Sequence, residues 1–185
     1  ASARQLWRVS PGAVPVPVPI GAKGPVMPMF QILRQANGAM WFPVPGVGLG
    51  YLQSDWRRIA QFDREHHGLS SEFYRDVAIA DEGGTWLFGA RGELERLDAE
   101  GVVHALDEAV QDQLAGAPGL SVMQDASGTL WAGQRKRLTQ LDPSSGDVRH
   151  WDVGDAVDAP LDGAPHLLVQ APDGDVWVSF SGRGL

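Results

Sequence analysis

The chain has 185 residues, 43% of them hydrophobic, with 23 glycines, 13 prolines and no cysteine. Without cysteine there are no disulfides and no thiolate metal sites, and a formal net charge of −8 makes nucleic acid and anionic membrane surfaces poor partners. No apolar run approaches the ~18 residues that a spanning helix needs, and the density of glycine and proline favours short strands joined by turns.

The first residues, Ala1-Ser2-Ala3-Arg4, fit either a boundary left by leader removal after small residues or the edge of a longer chain. Gln5-Leu6-Trp7-Arg8-Val9 reads as a strand, and Val14 to Pro19 places proline at every second position. Prolines so spaced remove amide donors from one edge only, which fits an outermost edge strand. A PxxP-type ligand for an SH3-like domain is the other reading of these residues. A loosely patterned unit follows: Ile32-Leu33, Trp41-Phe42, Leu49-Gly50-Tyr51-Leu52 and Ile59 to Phe62, with Pro43 and Pro45 in its turns.

The clearest unit runs from Phe73 to Leu106. Val77 and Ile79 alternate with small or polar residues as in a half-buried strand, and Asp81-Glu82-Gly83-Gly84 supplies a tight turn. Trp86 and Phe88 belong to the returning strand, Leu94 and Leu97 to a third, and Val102 to Leu106 forms a fourth after Asp98-Ala99-Glu100-Gly101. The next unit repeats this through Val122-Met123, Asp125-Ala126-Ser127-Gly128, Trp131, Leu138-Thr139-Gln140-Leu141 and Val148 to Trp151. Asp173-Gly174-Asp175-Val176-Trp177 begins it again.

Trp41, Trp86, Trp131 and Trp177 therefore recur at intervals of 45, 45 and 46 residues, each closing a turn-Gly-x-x-Trp phrase. A period in the forties with that phrase predicts an all-β protein, a β-propeller of about four 45-residue, four-stranded blades. The four tryptophans are expected as core, filling the wedges between neighbouring blades. Leu6, Leu49, Leu94, Leu138 and Leu185 share the start of the third strand, so the chain begins and ends mid-blade. The expected organisation is a partial blade over 1–19, blades over about 30–62, 73–106 and 120–151, and a partial blade over 166–185. The ends then either combine into composite blades, within one chain or between the two chains of a homodimer, or belong to an arc of a larger propeller. The register favours the arc.

Residues 68–106 resemble the two-component regulator propeller repeat. The match runs through Gly68-Leu69-Ser70-Ser71, Val77-Ala78-Ile79, Asp81-Glu82-Gly83-Gly84-Thr85-Trp86 and Gly89-Ala90-Arg91-Gly92-Glu93-Leu94-Glu95-Arg96-Leu97-Asp98. Gly119-Leu120, Asp125, Gly128, Trp131, Leu138 and Leu141-Asp142 match again, as do Asp173-Gly174, Trp177 and Gly184-Leu185, whereas residues 1–66 match weakly. Gly92-Glu93-Leu94 departs from the Gly-Leu pair of that family, and Gln134-Arg135-Lys136-Arg137-Leu138 replaces a glycine-containing loop with a basic one. The resemblance implies a periplasmic or extracytoplasmic sensor segment of a membrane-bound histidine kinase or diguanylate cyclase, with the output domain elsewhere in the parent chain. This segment is then not itself an enzyme. No glycine-rich loop followed by Lys and Ser/Thr is present to cradle a phosphate.

Two other readings compete. One is a propeller scaffold for protein–protein contact. The other is an enzyme like the streptogramin lyases, which Gly38-Ala39-Met40-Trp41-Phe42 and Ile59-Ala60-Gln61-Phe62 somewhat resemble. That family implies a histidine base and a divalent metal at the ring centre. The histidines His66, His67, His104, His150 and His166 show no ligand spacing with Asp or Glu, so no catalytic residue, metal or cofactor is assigned. The linkers between blades, about 20–29, 63–76, 107–120 and 152–165, are expected by the channel mouth. The second is the most varied, and His66, His67, Glu72, Tyr74 and Arg75 are its candidate ligand-binding residues, for a small polar ligand or a protein. The last linker carries Asp152, Asp155, Asp158 and Asp162 without the glycine and closing Glu of a calcium loop. Arg135-Lys136-Arg137, at a strand turn, reads as a solubilising hairpin or a contact for an acidic partner.

Overall fold

Turn residues and two-residue alternation divide the described residues into five antiparallel sheets. A computed structural model describes residues 6–18, 31–55, 59–152 and 165–180. Strands β1 (Leu6–Arg8) and β2 (Val16–Val18) pair alone. The first four-stranded meander is β3 (Leu33–Arg34), β4 (Met40–Val44), β5 (Gly48–Leu52) and β6 (Ile59–Asp63). The second is β7 (Tyr74–Ile79), β8 (Thr85–Gly89), β9 (Leu94–Leu97) and β10 (Val103–Ala105), and the third is β11 (Gly119–Gln124), β12 (Leu130–Gln134), β13 (Arg137–Leu141) and β14 (Val148–Asp152). A second pair, β15 (Pro165–Gln170) and β16 (Val176–Phe180), closes the described chain.

The first hairpins of three units turn in the same way, and the second blade instead has a 3-10 turn over Asp81–Gly83. Gly38, Gly128 and Gly174 adopt φ of 85°, 88° and 97°, and their amides donate to Gln35, Asp125 and Ala171 carbonyls at 2.9, 3.0 and 2.9 Å. A side chain other than glycine is strained at such φ, which is why the Gly of the phrase recurs. The sheets then stack face to face, with β4 and β11 both against β7, and β15 against β11. Each apolar cluster straddles one seam. Trp41 and Leu49 of the first blade pack with Val77, Leu87 and Leu97 of the second. Ala78, Trp86 and Phe88 of the second pack with Val122, Leu130 and Ala132 of the third. Phe42, Val44 and Leu52 face the other way, toward Val18 of β2. This is the packing of propeller blades, and the described sheets form an open arc of one.

Two linkers hold helices where loops were expected. In α1 (Arg64–His67), Asp63 caps the N-terminus and Gly68 ends the turn at φ 74°. In α2 (Glu108–Leu114), Val110 and Leu114, four residues apart, are both buried against the seam cluster. The acidic linker with Asp155, Asp158 and Asp162, the linker 20–29, and Leu185 all lie outside the described residues. Asp152 ends β14.

The four tryptophans do not share one environment. Trp41 and Trp86 are buried as expected. Trp131 is half-buried, stacked on Trp151 with ring centroids 5.8 Å apart and an interplanar angle of 17°. Trp177 is 66% exposed, which corrects its assignment to the core. It pairs across β15–β16 with Val169, which is 51% exposed, on the face turned away from the third blade. Leu168, on the opposite face, is buried. A tryptophan of this repeat is covered by the blade that follows it, and no described sheet follows β16.

Candidate functional site

Three of the four described inner strands share a defect. The ladders of β7–β8, β11–β12 and β15–β16 each slip by one residue, between Tyr74 and Asp76, Gly119 and Ser121, and Pro165 and Leu167. The extra residues are Arg75, Leu120 and His166, at matching places in the repeat. A bulge bends its strand and re-aims the side chains beside it. Here all three bulges open on one cavity of about 380 Å³, lined by Gln31, Arg75, Asp76, Leu120, Ser121, Val122, His166, Leu167 and Leu168. Gln31, Asp76, Ser121 and Leu167 each stand ten residues before a periodic tryptophan. Equivalent positions of successive blades converge only on the axis about which the blades are arranged, so this cavity is the propeller's central channel.

Its wall holds an unusual carboxylate. Asp76 is 9% exposed and accepts two backbone hydrogen bonds, from Val77 N at 2.9 Å and from Val122 N of the next blade at 2.7 Å. Burial pushes its pKa up to about 7, against the opposing pull of the Val122 and Val77 amides. The same place in the next blade, Ser121, ties to the inner strand β15 of the blade after it through its hydroxyl, donated to Pro165 O at 3.4 Å.

The structure disperses the five residues chosen from the second linker. Arg75 alone enters the central cavity. Tyr74 is buried, and its hydroxyl donates to Glu95, itself 2% exposed and also accepting from Ser70 N at 3.2 Å. Burial, and then the Glu95 charge, raise the Tyr74 pKa. Tyr74 is a strut between linker and sheet. Glu72 lines a separate cleft of about 250 Å³ with Arg64, Arg91, Glu93 and the exposed Phe73. His66 and His67 lie on α1 around Asp63. His66 Nδ1 is 3.0 Å from Asp63 Oδ2, and His67 Nδ1 accepts from Asp63 N at 3.2 Å. The backbone bond from His66 is the largest cause lowering Asp63 to about 2, and the Asp63 carboxylate raises His66 in turn.

Sequence reasoning found Arg75 but passed over Asp76, Ser121 and His166 as a set. The available signal was their shared offset from the tryptophans. Of the other histidines, His104 pairs with Asp98 at 2.7 Å and His150 with Thr139 at 3.0 Å. Among the described residues no three His, Asp or Glu side chains are grouped to hold a metal ion. Arg135 and Lys136 form the exposed two-residue turn between β12 and β13.

Sheets stacked blade on blade around a shared channel define a β-propeller. No protein-family profile matches the chain, and no curated protein matches it by sequence. Solved structures do match it in fold. Virginiamycin B lyase from Staphylococcus aureus superposes with a TM-score of 0.70 at 14% identity, over 96% of this chain and 57% of that one. The extracellular domains of two hybrid two-component systems of B. thetaiotaomicron, BT4673 and BT3049, superpose with TM-scores of 0.64 and 0.63. Their identities are 18% and 16%, over 82% and 84% of this chain and 20% of each of those. This chain thus spans a little over half of the lyase and a fifth of each extracellular domain. At such identities the likeness establishes the propeller fold, and that fold serves sensors and enzymes alike.

Proposed function

We propose that this chain is the recognition region of an extracytoplasmic signalling sensor, and that it binds a small polar ligand in the central channel. One observation carries the reading. Three successive blades present their bulged inner-strand residues to a single cavity, and those positions differ in chemistry from blade to blade (Arg75, Leu120, His166) while the seams behind them stay apolar. A rigid frame with variable side chains at one convergent point is how a repeat fold carries specificity. The repeat resemblance and the fold shared with extracellular sensor domains support the signalling context.

The test is a thermal-shift screen of soluble metabolites and saccharides on this chain, repeated on Leu120→Trp, which fills the channel from the half-buried bulge of the third blade. A ligand that raises the melting temperature of the parent protein and not of L120W supports the reading. Ligands that stabilise both equally would place recognition elsewhere.

A second reading, a propeller lyase, draws on His166 and Asp76 lining the same cavity. The metal that such an enzyme implies does not fit the described residues, which group no three suitable ligands. Turnover of a bound compound, abolished by His166→Ala, would favour this reading. Binding without turnover favours recognition.

A further inference from the structure

Resting on that recognition reading, we propose that the channel ligand is a small organic acid, its carboxylate held by Arg75 and His166 and its carbon body set against the apolar wall between them. The chain as a whole is acidic, at −8, yet two of the three bulge residues on this cavity are basic in type. Arg75 and His166 are exposed to the cavity, and neither has a hydrogen bond or ion pair with any described residue. By contrast, His66 and His104 are each paired with an Asp, and the Arg96 guanidinium donates to the Asp81 carbonyl at 3.0 Å. An unspent guanidinium presents a planar fork of donors that matches a carboxylate, and an imidazole beside the same space adds one donor when neutral and two when protonated.

Leu120, Val122, Leu167 and Leu168 supply the apolar wall, which a free inorganic anion would leave unused. The volume, about 380 Å³, lies in the range that small-molecule sites occupy.

The remaining charged group in the wall sets the proton balance. Among the described residues, the titratable and charged side chains around the cavity are Arg75 and Asp76 on β7 and His166 on β15; β11 contributes Leu120, Ser121 and Val122, and Gln31 is neutral. Both Asp76 oxygens already accept backbone amides, so the carboxylate has no free donor with which to offset an incoming anion. A bound acid therefore favours the protonated form of Asp76, and binding takes up a proton. Affinity rises as pH falls through the neutral range.

The experiment is an amide-resolved NMR titration of this chain with benzoate and succinate, each against its amide (benzamide, succinamide), and with inorganic phosphate, following the Val122 amide that Asp76 accepts. Both acids are expected to shift Val122 and the bulge residues, with weaker binding at pH ~8 than at pH ~6 and a smaller pH difference in Asp76→Asn. Arg75→Gln should weaken the acids roughly 10- to 100-fold, and Arg75→Lys by less, since the charge remains and the fork is lost. Arg75 is exposed and without a described partner, so an unchanged melting temperature in both variants would show that binding is lost rather than folding. Amides that bind as well as the acids, or an R75Q that binds like the parent, overturn the organic-acid assignment and leave channel recognition standing. Phosphate binding as tightly as benzoate overturns the role of the apolar wall. Compounds that shift nothing around the channel sink both this assignment and the recognition reading.

Discussion

The seam between the first and second blades and the seam between the second and third use the same tryptophan position but are not closed in the same way. At the second seam, Gln124 of the third blade acts as a clip. Its Oε1 accepts from Trp86 Nε1 at 3.2 Å and from Asp81 N at 2.9 Å, and its Nε2 donates to Gly128 O at 2.9 Å. Gln170 repeats the clip one blade on, accepting from Ala126 N at 2.9 Å and donating to Gly174 O at 3.3 Å. At the first seam the equivalent position is Ile79, 47% exposed, and the Trp41 Nε1 is buried without a hydrogen-bond partner. Gln35 reaches across there instead, donating to Gly83 O at 2.9 Å, a bond that leaves the indole unserved. Asp76 adds a second tie to the second seam alone, through Val122 N. Burial of rings closes both seams, and the clip on the indole is present at the second and missing at the first.

The largest expected effect breaks the second seam at its centre. Trp86→Ala should cost about 3–5 kcal/mol in urea unfolding, whereas Trp177→Ala at the same repeat position should stay within about 0.5 kcal/mol. Equal losses at the two sites would mean that Trp177 is covered in solution. Next is the pH dependence of the Asp76 tie. Its folded pKa is raised, so the stability it contributes is full below its unfolded value near 4 and is lost as pH rises through about 7. That loss amounts to at most about 4 kcal/mol. The urea midpoint of the parent should fall over this window, and Asp76→Asn should flatten the fall. Asp63 and Asp142, both lowered to about 2, act below the window and with the opposite sign. A parent protein with a flat profile between pH 4 and 8 would show that Asp76 is hydrated.

Removing the clip is a smaller perturbation. Gln124→Ala leaves the Asp81 amide and the Trp86 indole without their acceptor and should cost about 1–3 kcal/mol. The smallest effect sharpens the comparison by grafting the clip onto the first seam. Ile79→Gln should gain about 0.5–1.5 kcal/mol by giving Trp41 Nε1 an acceptor, with the indole NMR resonance moving as it bonds. A destabilised I79Q would mean that the backbone at the two seams differs too much for the clip to transfer.

Much of this architecture was written locally. The four-stranded meanders follow from alternation at Val77–Ile79 and from turns such as Asp125-Ala126-Ser127-Gly128, whose glycine needs positive φ whatever surrounds it. The repeat interval then placed Trp41 and Trp86 correctly in the wedges. The helix Glu108–Leu114 escaped notice because only two of its residues, Val110 and Leu114, are buried, too few for a helical period to stand out. The candidate site was harder to read. Tyr74 is locked on Glu95, while Arg75 and Asp76, adjacent in sequence, both line the channel, because the bulge between Tyr74 and Asp76 interrupts the alternation that would send them to opposite faces.

By itself, then, the sequence determined what depends on short-range chemistry: antiparallel modules, their period of 45 residues, their turns, and a net charge unsuited to nucleic acid. Only the tertiary structure decided which residues meet. A one-residue bulge in each inner strand carries Arg75, Leu120 and His166 to a common cavity across 91 positions of chain, burial makes Asp76 a weak acid, and the lack of a following sheet among the described residues leaves Trp177 exposed. Such outcomes depend on what packs against a side chain, and a repeat that specifies each blade leaves that to the neighbouring one.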